Sequence, residues 1–255
     1  MRRLLLATAR IRRISTREGA GVFLAGWDFL VDAETYGPFW PGGVSGWELS
    51  TERNPANKIR ADLQKRAEAN HDGMPPMGFV AVSARRVSDK QAYFLDSPEP
   101  FTSRSVLDAD DLAAWMSIAP VVSLWFRELR GEVGFDEVRT LKDALRRWSR
   151  VTNPPLPEGL LVAGGERQDA AAELRAWAQD ADAKQLSIIA DDPHEAALFA
   201  AAALALDPVQ GETWSARSAV IRAPAGLAAL ARQPQSEPLI LILDGSFPRE
   251  TIDPE

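Results

Sequence analysis

The sequence predicts an α/β protein in two parts, the second built on a parallel sheet. Three observations carry that expectation. The chain has 255 residues, more than the roughly 100–150 at which single domains are commonest. Its apolar runs switch repeatedly between strand-like and helix-like patterns, as they do where helices cover sheets. Its charge is also split, since residues 1–157 carry 22 Lys and Arg against 20 Asp and Glu, whereas residues 158–255 carry 7 against 16. Asn153-Pro154-Pro155-Leu156-Pro157 lies at that divide and cannot continue a helix. Domains are therefore expected at 1–152 and 158–255.

Element by element, Arg3 to Ile14 suits a helix, and Gly21 to Ala33 is rich in strand formers. Gly37-Pro38 and Pro41-Gly42-Gly43 mark turns, after which Ser45 to Ser50 reads as a short strand. Asn54-Pro55 opens a helix running to about Asn70, because proline has no N–H to lose in the first turn. Gly78 to Ala84 reads as a buried strand with Gln91 to Leu95 as a short partner. Asp108 to Arg130 is helical with a break at Pro120, and Thr140 to Arg150 is one more helix. The second part alternates through strand Leu160 to Val162, helix Asp169 to Gln179, strand Leu186 to Ala190 and the Ala-rich helix Pro193 to Leu206. Strand Ala219 to Ile221, helix Pro224 to Arg232 and strand Leu239 to Leu243 complete it. Continuous apolar strands between helices imply a parallel sheet covered on both faces.

Composition excludes several chemistries. There is no cysteine, so disulfides, thiolate nucleophiles and sulfur-based zinc sites are out, and a reducing cytoplasm fits. Only His71 and His194 are present, too few for a histidine-rich metal site, so metal chemistry would run on carboxylates, which favour hard ions such as Mg²⁺ or Mn²⁺. No apolar run reaches the roughly 20 residues of a membrane helix. The N-terminal MRRLLLATARIRR is interrupted by Arg10 and lacks a cleavage-site pattern, so it reads as a basic first helix, with a mitochondrial presequence as the alternative.

A parallel sheet invites a nucleotide site, since phosphate loops join a strand to the next helix. The loop Asp191-Asp192-Pro193-His194 has neither the glycines nor the lysine of such a loop, and its carboxylates would repel phosphate. Asp191 or Asp192 suits a helix cap, and Gly164-Gly165 a turn. The second part is expected to be an acidic scaffold or interaction domain with no nucleotide cofactor.

The first part carries a better constellation: Asp28 on one strand, Glu48 on the next and Lys58 at the start of a helix. Two carboxylates on adjacent strands can share a divalent cation, and a nearby lysine can orient or deprotonate water while offsetting phosphate charge. Each residue also has an ordinary use. Asp28 fits a strand end, Glu48 the solvent face of an alternating strand, and Lys58, Lys65 and Arg66 a solvated helix face. Arg85-Arg86 fits either a phosphate contact or surface charge, and Trp27, Trp40 and Trp47 either base stacking or a core.

Gly26-Trp27-Asp28, the run from Pro41 to Ser50, Asn54-Pro55-Ala56-Asn57-Lys58 through Lys65-Arg66, Phe79 to Arg86 and Asp108 to Trp115 together resemble the nuclease core of the PD-(D/E)XK superfamily over about residues 20–130. The stretch is similar to restriction-endonuclease-like nuclease domains at the N-termini of large bacterial phage-defence proteins. The resemblance implies a restriction-endonuclease-like α/β domain built on a mixed sheet, with Asp28 and Glu48 as Mg²⁺ ligands. The family pattern places lysine two residues after the glutamate, where this chain has Ser50, and related nucleases carry it on the neighbouring helix, which points to Lys58.

The function expected is metal-dependent hydrolysis of DNA phosphodiesters in anti-phage defence, by a cytoplasmic protein with no membrane segment. The alternative is an inactive nuclease-like sensing or docking module. The near-neutral first part argues against strong DNA binding on its own, since affinity leans on phosphate neutralisation; a homo-oligomer or larger defence assembly would supply the rest. The polar end from Pro248 to Glu255 follows a strand whose sheet looks incomplete, so the chain also fits a piece of a longer protein.

Overall fold

The computed structural model describes residues 1–16, 26–68, 78–90, 101–132, 137–180, 182 and 185–245. It is a mixed α/β protein with a five-stranded mixed sheet and a second, three-stranded sheet. Two compact units result: residues 9–116 form one, and residues 117–255 form the other together with residues 3–8. The division between these units falls before the Pro-rich segment. The segment 138–149 belongs to the C-terminal unit because its strand pairs there, and the helix break at Pro120 is where the chain passes from one unit to the other.

In the first unit the sheet runs in the order β1 (Ile11–Thr16), β2 (Phe29–Ala33), β3 (Gly43–Ser50), β4 (Gly78–Ser83), β5 (Ser103–Leu107). β1, β2 and β3 form an antiparallel meander, while β4 and β5 run parallel to β3. The crossover from β3 to β4 contains α2 (Pro55–Glu68), and α3 (Ala109–Ser117) follows β5. Because side chains alternate across a strand, β3 sends Trp47 to one face and Gly46 and Glu48 to the other. Trp47 lies 6.2 Å from the Trp115 ring of α3, which Trp40 and Phe39 also approach, at 5.7 and 5.4 Å. Indole N–H groups buried there still find acceptors: Trp47 donates to Ser45 Oγ and Trp40 to the Thr35 carbonyl. The opposite face is covered by α2, whose Ile59 and Leu63 pack with Trp27, Phe79, Ala81 and Val106. Trp27, Trp40 and Trp47 are all buried, so core packing is their use and base stacking is not.

The second unit contains α1 (Arg2–Thr8), α4 (Pro120–Leu129), β6 (Val138–Thr140), α5 (Leu141–Ser149), α6 (Gly165–Gln179), α7 (Pro193–Ala205), α8 (Gly211–Arg217), β7 (Ser218–Ile221), α9 (Pro224–Ala231) and β8 (Ile240–Leu243). The sheet order is β6-β7-β8, with β6 antiparallel and β8 parallel to β7. The all-parallel sheet expected there is therefore corrected. Leu160–Val162 lies within a 3-10 turn, Glu158–Val162, between Pro157 and the positive-φ Gly164, too short a run to pair. Leu186–Ala190 has no regular structure and lies exposed, and no strand among the described residues pairs with it. The Ala-rich α7 is buried nearly all round, among Leu145, Leu161, Leu174, Trp214, Val220 and Ile242. Val121, Leu124 and Leu230 cover the other face at Ala219 and Ile221. As expected, Asp192 caps α7, accepting from the His194 N–H at 2.8 Å. No helix among the described residues is long and apolar enough to cross a membrane. The strand expected at Gln91 to Leu95 and residue His71 lie outside the described residues.

Candidate functional site

Asp28 stands just before β2, and its position is set by the strand it faces. Its N–H donates to the Trp47 carbonyl at 3.1 Å. Its carboxylate Oδ2 accepts from the Leu49 N–H at 2.8 Å. Asp28 is thus tied to the backbone on either side of Glu48, and the two carboxylates lie in each other's field: Asp28 is one of the charges that oppose ionisation of Glu48.

Glu48 is 7% exposed, which sets aside its ordinary reading as a solvent-facing strand residue. A buried carboxylate needs a partner, and Arg66, two turns along α2 from Lys58 and only 5% exposed, supplies it. The Arg66 Nε donates to Glu48 Oε1, its other end donates to the Gly26 carbonyl, and its guanidinium lies 5.1 Å from the Trp27 ring centroid. Burial nevertheless pushes the Glu48 carboxyl above its ordinary value, with Asp28 and Asp62 pushing the same way and Arg66 opposing.

Lys58 is closest not to Glu48 but to Asp62, one turn on along α2, with Nζ 2.7 Å from Oδ1. Asp62 is 5% exposed, a third carboxylate that sequence reasoning passed over. The hydrogen bond to Asp62 raises the Lys58 pKa against the lowering effect of burial, with added support from the charges of Asp62, Glu48 and Glu52. The net effect favours the ammonium form of Lys58. Ser50, at the usual lysine position, accepts from the Glu52 N–H at 3.1 Å.

Asp28, Glu48, Asp62, Lys58 and Arg66 therefore form one charged cluster where β3 meets α2. Among the described residues no group of three or more His, Asp or Glu side chains stands as a set able to hold a metal ion. A cation here would rest on two carboxylates, with water or phosphate oxygens completing its shell, which suits Mg²⁺. One oxygen of each carboxylate is used in the hydrogen bonds above, and the second oxygen of each is the donor such an ion would take.

No family model, curated protein or solved structure matches the chain. The residues themselves carry the functional reading.

Three other charged groups lie outside this cluster. Arg86 pairs with Asp110 on the surface at 3.0 Å. At the end of β5, Asp108 and Asp111 cap α3 reciprocally. Asp108 Oδ1 accepts from the Asp111 N–H at 3.2 Å, and Asp111 Oδ2 accepts from the Asp108 N–H at 2.9 Å. Lys90 binds both carboxylates. Burial raises the Asp108 carboxyl, but Lys90 and the N–H groups of Val87 and Asp111 outweigh it and hold it well below the usual range. These pairs stabilise a helix start. His194 Nδ1 meets Asp244 at 3.0 Å beside the start of α7.

Proposed function

We propose that the chain is a metal-dependent nuclease that hydrolyses DNA phosphodiester bonds, with Asp28 and Glu48 as ligands of Mg²⁺ or Mn²⁺ and Lys58 as a fixed positive charge. The observation that carries the reading is the tie between Asp28 and the Leu49 N–H, which brings two carboxylates from separate segments to one end of a sheet, beside an ammonium group that feels Glu48. A divalent ion held there would supply Lewis-acid activation of a phosphate and its attacking water. The chain's own residues do the remaining work. Asp28 and Glu48 offer hard oxygen donors. Lys58, held by Asp62, offsets the charge that grows on phosphate in the transition state and acts as an electrostatic stabiliser. A place in anti-phage defence, and DNA as the substrate, rest on the resemblance to the nuclease domains of bacterial defence proteins.

A second reading, an inactive nuclease-like docking module, is favoured by one specific feature: the usual lysine position is Ser50. Plasmid nicking distinguishes the two. Wild type with Mg²⁺ or Mn²⁺ should nick or cut the plasmid, and chelation should stop it. Glu48→Gln and Asp28→Asn should lower the rate by orders of magnitude. Lys58→Ala should lose about 10²–10³-fold in rate while Mn²⁺ binding is kept. Equal cleavage by wild type and Lys58→Ala removes Lys58 from the chemistry. No cleavage under any metal, alone or in a larger assembly, favours the docking module.

A further inference from the structure

We infer that Arg66 is a built-in counter-cation that occupies the metal-binding carboxylate Glu48 and gates entry of the divalent ion; the inference rests on the nuclease reading above. Burial fixes the starting point. Glu48, Asp62 and Arg66 are each at most 7% exposed, and Asp28 and Asp62 both oppose ionisation of Glu48. Three carboxylates so placed repel one another and require positive charge among them. Lys58 is committed to Asp62, so Arg66 is the cation left to neutralise Glu48, and its Nε is bound to Oε1. An incoming divalent ion must then draw the Glu48 carboxylate away from the guanidinium that neutralises it.

The way Arg66 is held makes that exchange feasible. Its Nε holds the Glu48 carboxylate, while other parts of the guanidinium are held elsewhere. Its bond to the Gly26 carbonyl and its place over the Trp27 ring can both persist when Glu48 turns to a metal ion. Gly26 and Trp27 immediately precede Asp28, so the arginine stays moored to the segment that carries the second ligand. The exchange trades one ion pair for another and does not require the core around Ile59 and Leu63 to open.

Titration of the full chain with Mn²⁺, read by water-proton relaxation or calorimetry, tests this without any cleavage assay. Arg66→Gln removes the competing charge, and its dissociation constant for Mn²⁺ should fall at least tenfold below that of wild type. Arg66→Lys keeps a cation and should stay within a few-fold of wild type. Equal affinity in wild type and Arg66→Gln overturns the gate while leaving the metal site standing. Binding in none of the three overturns the metal reading itself. Should Arg66→Gln fail to fold, the wild-type Arg66 Nε–H resonance, assigned with the lysine variant, decides the matter. A shift of that signal in step with added Mg²⁺ supports the gate, and an unmoved signal at saturating Mg²⁺ refutes it.

Discussion

Gly46 is the position at which a single methyl group should disturb both packing and site. An ideal Cβ there would lie 2.4 Å from Trp27 Cδ2, 2.5 Å from Cε3 and 2.6 Å from Cε2. Carbon atoms pack at about 3.5–4.0 Å, so the ring or the strand must retreat by about 1 Å. The ring has little room, because Phe79 and Phe101 meet it edge-on, each at 5.9 Å, and Arg66 lies over it. Overpacking of this kind costs about 1–3 kcal/mol, and for a unit of roughly 100 residues each kcal/mol lowers the midpoint by about 4–8 °C. Gly46→Ala should therefore melt several degrees below wild type in thermal denaturation followed by near-UV circular dichroism. Since Trp27 precedes Asp28 and supports Arg66, the same variant should also change Mn²⁺ affinity. Gly165→Ala is the control, as no atom lies within 4 Å of its added Cβ and it sits in the first turn of α6; it should be neutral or slightly stabilising. Coincident melting curves for Gly46→Ala and wild type would refute the placement of Trp27 over β3.

Two further expectations concern pH. The folded-state pKa of Glu48 is raised above its ordinary 4.5, so its contribution to stability is present below that value and is lost as pH rises through the raised one. Glu48→Gln should accordingly gain stability relative to wild type as pH climbs through that window, measured as the difference in midpoint across a pH series, and a difference that shrinks instead would contradict burial as the cause. Asp108 shifts the other way, so its contribution is present above its ordinary 3.8 and is lost as pH falls through the lowered value. Asp108→Ala also removes the cap of α3 and should cost about 1–2 kcal/mol in urea denaturation at pH 7, with the deficit narrowing in strong acid.

Long elements with clear punctuation were legible in the sequence. Asn54-Pro55 opened α2, Pro120 divided α3 from α4, and Asp192-Pro193 opened α7. Elements resting on tertiary pairing were not. Residues 11–14 continue the helix-like pattern of the first residues, yet β1 forms there because β2 lies alongside to pair with it. β6 has only three residues, and β7 defines it. Leu186 to Ala190 has the residue types of a buried strand but pairs with no strand among the described residues. At the site, Glu48 was visible as a carboxylate on a strand and Asp28 as one expected on the strand before it, although it stands just ahead of β2. Arg66 and Asp62 were hidden because a charge-rich helix ordinarily faces water. Their i, i+4 spacing, aligned with the buried Ile59 and Leu63, was the available signal that they turn inward.

The first helix imposes an order on synthesis. Leu4, Leu5 and Leu6 are buried, and the Leu6 carbonyl accepts from Arg217, 211 residues later in the chain. Their partners lie in the unit that begins at Ser117, so the sheet of residues 9–116 can close while α1 waits with its leucines uncovered. At about 5–20 residues per second, Arg217 follows by roughly 10–40 s. During that interval the leucines of α1 stay uncovered, because the part of the chain that buries them has yet to be made.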